Sequence, residues 1–147
     1  MLLTPHFSLE EMVYSDTARE RGIDNTASPD IIENLTKTAA MLERVRLLTG
    51  GPLIVTSGYR SIGLNQAVGD VPNSAHLTGQ AADFHCPGYI DGNVIELCRL
   101  IAGYSISLNF DQCIYENNLW CHLAWSDTPR RQLLIIDHTG QRFVDSF

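Results

Sequence analysis

Positive charge is scarce in this sequence. Ten lysines and arginines stand against seventeen aspartates and glutamates, which gives a formal net charge of −7. A nucleic-acid binder would carry a basic face, and loose adhesion to anionic membranes or polymers needs the same excess. Neither is expected, so any partner must be met at a defined site. Long apolar runs are also missing. No segment approaches the roughly 20 apolar residues that span a bilayer core, and no membrane insertion is expected. The start, MLLTPHFSLEEM, has no basic opening, no apolar centre and no small-residue cleavage site. It does not read as a secretory signal. Synthesis in the cytoplasm without a signal peptide is expected, and work outside the cell would require another route of release. Cysteine occurs only at positions 86, 98, 113 and 121, with no CxxC pair. That spacing argues against a thiolate zinc knuckle or a thioredoxin-type motif. Four reduced, mostly buried thiols are expected instead. Repeats, low-complexity tracts and long linkers are lacking too, so residues 1–147 read as one domain.

What is present has the patterning of a globular α+β fold. The hydrophobic fraction is 44%. Ser8-Leu9-Glu10-Glu11 has the capping-box form that opens a short helix. Ser28 caps again, with Pro29 at the first helical position. Ile31, Ile32, Leu35, Leu42, Val45 and Leu48 then recur at helical spacing until Gly50-Gly51 ends the run. A second helix is predicted from Asp91 to Gly103. Short β-branched or alternating runs predict strands at 52–57, 81–86, 110–116, 120–125, 132–137 and 142–147. Residues 61–80, rich in Gly, Asn and Ser, read mostly as loop. Successive strands joined by short turns should pair antiparallel. The expected architecture is a mainly antiparallel sheet with helices packed on it.

The chemistry concentrates in SAHLTGQAADFH, residues 74–85. A catalytic zinc takes three ligands from His, Asp, Glu or Cys and keeps one position open. His76 and Asp83 are the right types. Gly79 between them permits a positive φ or a close approach by another segment, and Ala81 and Ala82 leave room where segments converge. A third ligand must come from elsewhere. His6 lies in an N-terminal segment read as mobile, and His138 lies in a turn. His85 shares a strand face with Asp83 and stays a candidate. His122 stands between Trp120 and Ala124 in an otherwise apolar strand.

Ser74 to Asp83 resembles the SxHxxGxAxD signature of the zinc DD-carboxypeptidase-like peptidases, peptidase family M15 of the small single-domain type, with the Hedgehog/DD-peptidase fold. The opening HFSLEEMVYSDTARERGIDNTASPDIIENL and the stretch VTSGYRSIGLNQAVGDVPNSAHLTGQAADF resemble small members of that family. FDQCIYENNLWCHLAW resembles its C-terminal stretch, in which a WxHxx histidine is the last zinc ligand. The resemblance therefore implies Zn²⁺ held by His76, Asp83 and His122. It also implies that Arg60 of SGYR binds the substrate and stabilises the oxyanion. Ser74 would support the loop or the substrate. Many relatives carry an acidic residue three positions before the final histidine, where this sequence has Leu119. Glu116 is the nearest acid and the candidate general base, with Asp111 as an alternative. Asp70, Ser74 or a main-chain carbonyl is expected to orient the ligands.

The function implied is a zinc metallopeptidase that cuts peptidoglycan stem peptides, as an endolysin-like endopeptidase or a D-Ala-D-Ala carboxypeptidase. It would act as a monomer on the cell wall after phage-type release, or from a virion. Two other readings use the same fold: a non-catalytic zinc-binding module of a phage virion or tail, and a cytosolic dipeptidase.

Overall fold

A computed structural model describes residues 1–147. The chain opens with a small hairpin, β1 (Leu2–Thr4) and β2 (Phe7–Ser8), rather than a mobile tail. Glu43 holds His6 there through both its ring Nδ1 (2.7 Å) and its main-chain N–H (2.8 Å). The predicted capping box at Ser8 is present and starts α1 (Leu9–Val13). Ser15 caps α2 (Asp16–Arg21). Helix α3 (Pro29–Thr49) begins and ends where the sequence predicts, with Ser28 accepting from the Ile31 N–H and Gly50 left-handed at φ 73°.

Strand β3 (Ile54–Ser57) follows. The region expected to be loop then folds as helix α4 (Ile62–Val68), capped by Ser61, and a 3-10 turn over Ala75–Thr78. The glycine and asparagine content hid α4. Its helical state rests on the cap, on buried Leu64 and on Asn65, whose side chain is spent on tertiary hydrogen bonds rather than on its own backbone. Strand β4 (Ala81–His85) comes next. The second long helix, α5 (Val94–Gly103), starts three residues later than Asp91, because Asn93 is its cap and Asp91 sits at φ 55° in a separate turn. A short α6 (Ser105–Leu108) leads into β5 (Gln112–Glu116), β6 (Trp120–Ala124), β7 (Gln132–Asp137) and β8 (Gly140–Val144).

The fold is α+β, and six strands form one sheet in the order β3-β4-β6-β5-β7-β8. All neighbours pair antiparallel except β5 and β7, which run parallel. The expectation that each short connection makes an antiparallel pair thus fails between β6 and β7. Residues 125–131 pass over the end of β5 and set β7 on its far side. That crossing is stitched by Arg131 N–H to the Phe110 carbonyl (3.0 Å), Gln132 N–H to the Asp111 carbonyl (2.9 Å) and an Arg130–Asp111 ion pair (2.7 Å).

The sheet's two faces have different tasks. One face, with Ala82, Phe84, Cys113, Cys121 and Leu123, packs on α3 and α5 to make the main core. All four cysteines are free and buried, as expected. Cys98, Cys113 and Cys121 cluster there, with 3.7 Å between the Cys113 and Cys121 sulfurs. The other face carries a row across neighbouring strands: Ser57 beside Asp83, Asp83 beside His122, His122 beside Ile114. Alternation along each strand gives this face its own residue set. No helix is long and apolar enough to cross a membrane.

Candidate metal centre and cleft

The row Asp83–His122 meets the 3-10 turn that carries His76. Ser74 opens this turn by accepting the His76 N–H (3.2 Å), and Gly79 closes it at φ 74°. A Cβ at Gly79 would also stand 3.1–3.2 Å from Leu35 and Ile31, so both uses expected of this glycine are realised. The turn is pinned to α3 by Thr38, whose hydroxyl donates to the Gly79 carbonyl (2.6 Å) and accepts from Trp125 Nε1 (2.8 Å).

The ligating atoms of His76, Asp83 and His122 lie within 4.8 Å of one another. His76 is only 1% exposed, Asp83 3% and His122 8%. Asp83 Oδ1 sits 2.9 Å from His122 Nδ1 and 3.3 Å from His76 Nε2. The other ring nitrogen of His76 lies 2.6 Å from the Gly58 carbonyl oxygen. A carbonyl can only accept, so Nδ1 carries the hydrogen. In a neutral ring Nε2 is then a bare lone pair, facing a carboxylate oxygen inside the protein. Two acceptors in that position require a cation between them, either a proton or a metal ion. The donor set, two imidazoles and one carboxylate, suits a divalent transition metal, and zinc is among those it fits.

The electrostatics agree. Burial pushes the Asp83 carboxyl up, but the His76 charge and hydrogen bonds from both imidazoles outweigh it and hold Asp83 far below the usual carboxylate range. Burial disfavours the His122 imidazolium, yet Asp83 prevails and raises its pKa. The site attracts positive charge.

Arg60 closes one side. Its Nε donates to Ser57 Oγ (3.1 Å), Nη1 to Asn65 Oδ1 (3.2 Å) and Asp70 Oδ2 (2.6 Å), and Nη2 to Asp83 Oδ2 (3.4 Å). Four of its five N–H groups are used, and the guanidinium is fixed with one donor to spare. Asp70 thus acts on Arg60, and the Gly58 carbonyl, not Asp70 or Ser74, orients the His76 ring.

Glu116 ends β5 opposite Trp120 and lines the same cleft. Burial, then the charge of Asp83, push its carboxyl above the ordinary glutamate value. The Trp120 indole N–H in that wall is buried and has no partner. Leu119, at the position where relatives carry an acid, is 59% exposed at the hairpin turn. Asp111 is engaged by Arg130.

The remaining histidines stay outside the cluster. His85 pairs in register with Ile54 towards the sheet edge, His6 is bound to Glu43, and His138 is in the exposed β7–β8 turn. Sequence reasoning missed the parts played by Gly58 and Asn65. The glycine enters the sequence reading only as a member of SGYR, and Asn65 lay inside the supposed loop.

A model of the family described as Peptidase M15 matches residues 5–124. The chain belongs to this family. The match includes every residue of the centre: Arg60, Ser74, His76, Asp83, Glu116 and His122. No curated protein matches the chain. Membership in M15 makes the chain a peptidase by family, and the cleft has the form that such work needs. It has a volume of about 1060 Å³, and besides the centre it is lined by Asp16, Asp70, Trp125, Arg130 and Gln141.

Proposed function

We propose that this chain is a zinc-dependent metallopeptidase that cuts peptide bonds in peptidoglycan stem peptides on the cell wall. The observation that carries the reading is the convergence of three nearly buried ligand-type side chains, His76, Asp83 and His122, whose donor atoms lie within 4.8 Å of one another. They stand at the floor of a cleft that also holds Arg60 and Glu116. When bound, zinc would polarise the scissile carbonyl and lower the pKa of a water molecule to about 7.

The protein groups supply the rest. His76, Asp83 and His122 hold the ion. Glu116, at the end of β5 in the same cleft, accepts the proton of the attacking water and delivers it to the leaving amine. The free N–H of Arg60 donates to the carbonyl oxygen as negative charge builds there, and its tethering means little reorganisation is needed. Ser74 keeps the His76 turn in place.

The test is incubation with purified peptidoglycan and synthetic stem peptides, with and without chelator, followed by mass spectrometry of the fragments. Chelator-sensitive cleavage restored by Zn²⁺ is expected. Intact substrates from a folded, zinc-loaded protein would instead indicate a binding module.

A further inference from the structure

Arg130 is the second cation of the cleft, and it lies beyond the region matched to the family. The two arginines differ in what they leave free. Arg60 has one N–H to spare. Arg130 is held from behind by Asp111, with Nε on Oδ1 (2.9 Å) and Nη2 on Oδ2 (2.7 Å). Asp111 is 9% exposed and also accepts the Arg130 main-chain N–H (3.1 Å), so its carboxylate is an anchored support. This fork-to-fork pairing fixes the plane of the guanidinium. Both Nη1 hydrogens and one Nη2 hydrogen have no protein acceptor, and the side chain is 54% exposed. A fixed guanidinium with an unused edge suits another planar anion.

Its place along the cleft follows from the strand register. Ile114 pairs with His122, and Asp111 stands three residues before Ile114. At the rise of a strand, this sets the Asp111 end roughly 10 Å from the metal ligands. An extended peptide covers that distance in about three residues.

We propose that Arg130, buttressed by Asp111, forms a subsite for a free carboxylate on the substrate, two or three residues from the scissile bond. The substrate class is then an acidic peptide. Within stem peptides this selects those whose γ-linked glutamate keeps its α-carboxylate over those in which it is converted to the amide. The inference rests on the peptidase reading above. Asp111 sets the orientation of Arg130 and has no contact with the reacting atoms.

The test pairs two synthetic stem peptides that differ only in that carboxylate or carboxamide, cut by the zinc-loaded wild type and by Arg130→Gln and Arg130→Lys. For wild type, kcat/KM should favour the carboxylate on the order of tenfold or more, the usual worth of a charge-assisted hydrogen bond. Arg130→Gln should bring that ratio close to one, chiefly through KM, and Arg130→Lys should restore part of it. The substrate comparison in wild type needs no variant to fold. Equal rates on both peptides by wild type, or an unchanged ratio in Arg130→Gln, would overturn the subsite and leave the peptidase reading standing. Failure of wild type to cut either peptide would overturn both.

Discussion

The main-chain oxygen of Gly58 lies 2.6 Å from His76 Nδ1 and thereby leaves Nε2 as the ring nitrogen offered to the metal centre. Gly58 can come this close because it has no side chain. A Cβ there would stand 2.2 Å from the Met12 carbonyl oxygen, a main-chain atom that cannot swing away. Tyr59 N–H binds the same Met12 oxygen at 2.8 Å, so the two segments are locked together. Gly58→Ala should therefore cost about 3 kcal/mol or more of stability, the upper range for overpacking. Urea denaturation measures this. Zinc affinity should fall in the fraction that remains folded, and equal affinity would show that the carbonyl does not direct His76.

Metal content gives the second prediction. One zinc per chain is expected for wild type, and His76→Ala, Asp83→Ala and His122→Ala should each lose it. Zinc at a thousand times its Kd should stabilise the fold by about 4 kcal/mol. At this chain length chelation should then lower Tm by roughly 10 °C. Elemental analysis and calorimetry report on the two quantities separately. Wild-type levels of zinc in His76→Ala would remove the basis of the centre.

Glu116→Gln should leave zinc and fold intact while turnover drops about 100-fold or more, the range for loss of a general base. The raised pKa adds a pH signature. A folded-state pKa above the unfolded value means that the ionised Glu116 weakens the metal-free fold at neutral pH, and protonation relieves this. Metal-free Glu116→Gln should thus melt higher than wild type at pH 7. The gap should close as pH falls below the ordinary glutamate range, where both side chains are neutral. A gap that widens in acid would contradict the assignment of burial as the cause.

Thr38 is the fourth test. Its hydroxyl joins Gly79 at the end of the His76 turn to Trp125 at the start of the β6–β7 crossing. Thr38→Val keeps the shape and removes both bonds, so an indole N–H and a main-chain carbonyl lose their partner inside the protein. The expected cost is about 2 kcal/mol or more. Thr38→Ser should recover most of it. A Thr38→Val protein as stable as wild type would mean that water reaches these groups.

Much of this arrangement could be read from the chain alone. Ser8, Ser28, Pro29 and Gly50 mark helix ends by local hydrogen-bonding rules, and they do so in the structure. His76 and Asp83 stand out because the signature sets two ligand types among small residues that let segments converge, while His122 is marked by the resemblance of the C-terminal stretch, and the structure brings the three together. Other features depend on distant partners. Helix α4 is stabilised by what Asn65 and Leu64 touch, not by propensity. The parallel pairing of β5 with β7 depends on how residues 125–131 cross Asp111, while loop length alone suggests a hairpin. Gly58 looks like any turn glycine until Met12 is seen beside it.

Strand β6 bears Cys121, His122 and Leu123 in succession, with the thiol and the leucine turned to the helices and the imidazole to the cleft. Chemical identity on this ribbon is thus a matter of parity. Losing or gaining a single residue in the Asn117–Leu119 bend would exchange the two sides, offering sulfur to the ion and sinking a polar ring among the helices. The length of that bend is therefore as much a part of the ligand set as the histidine itself.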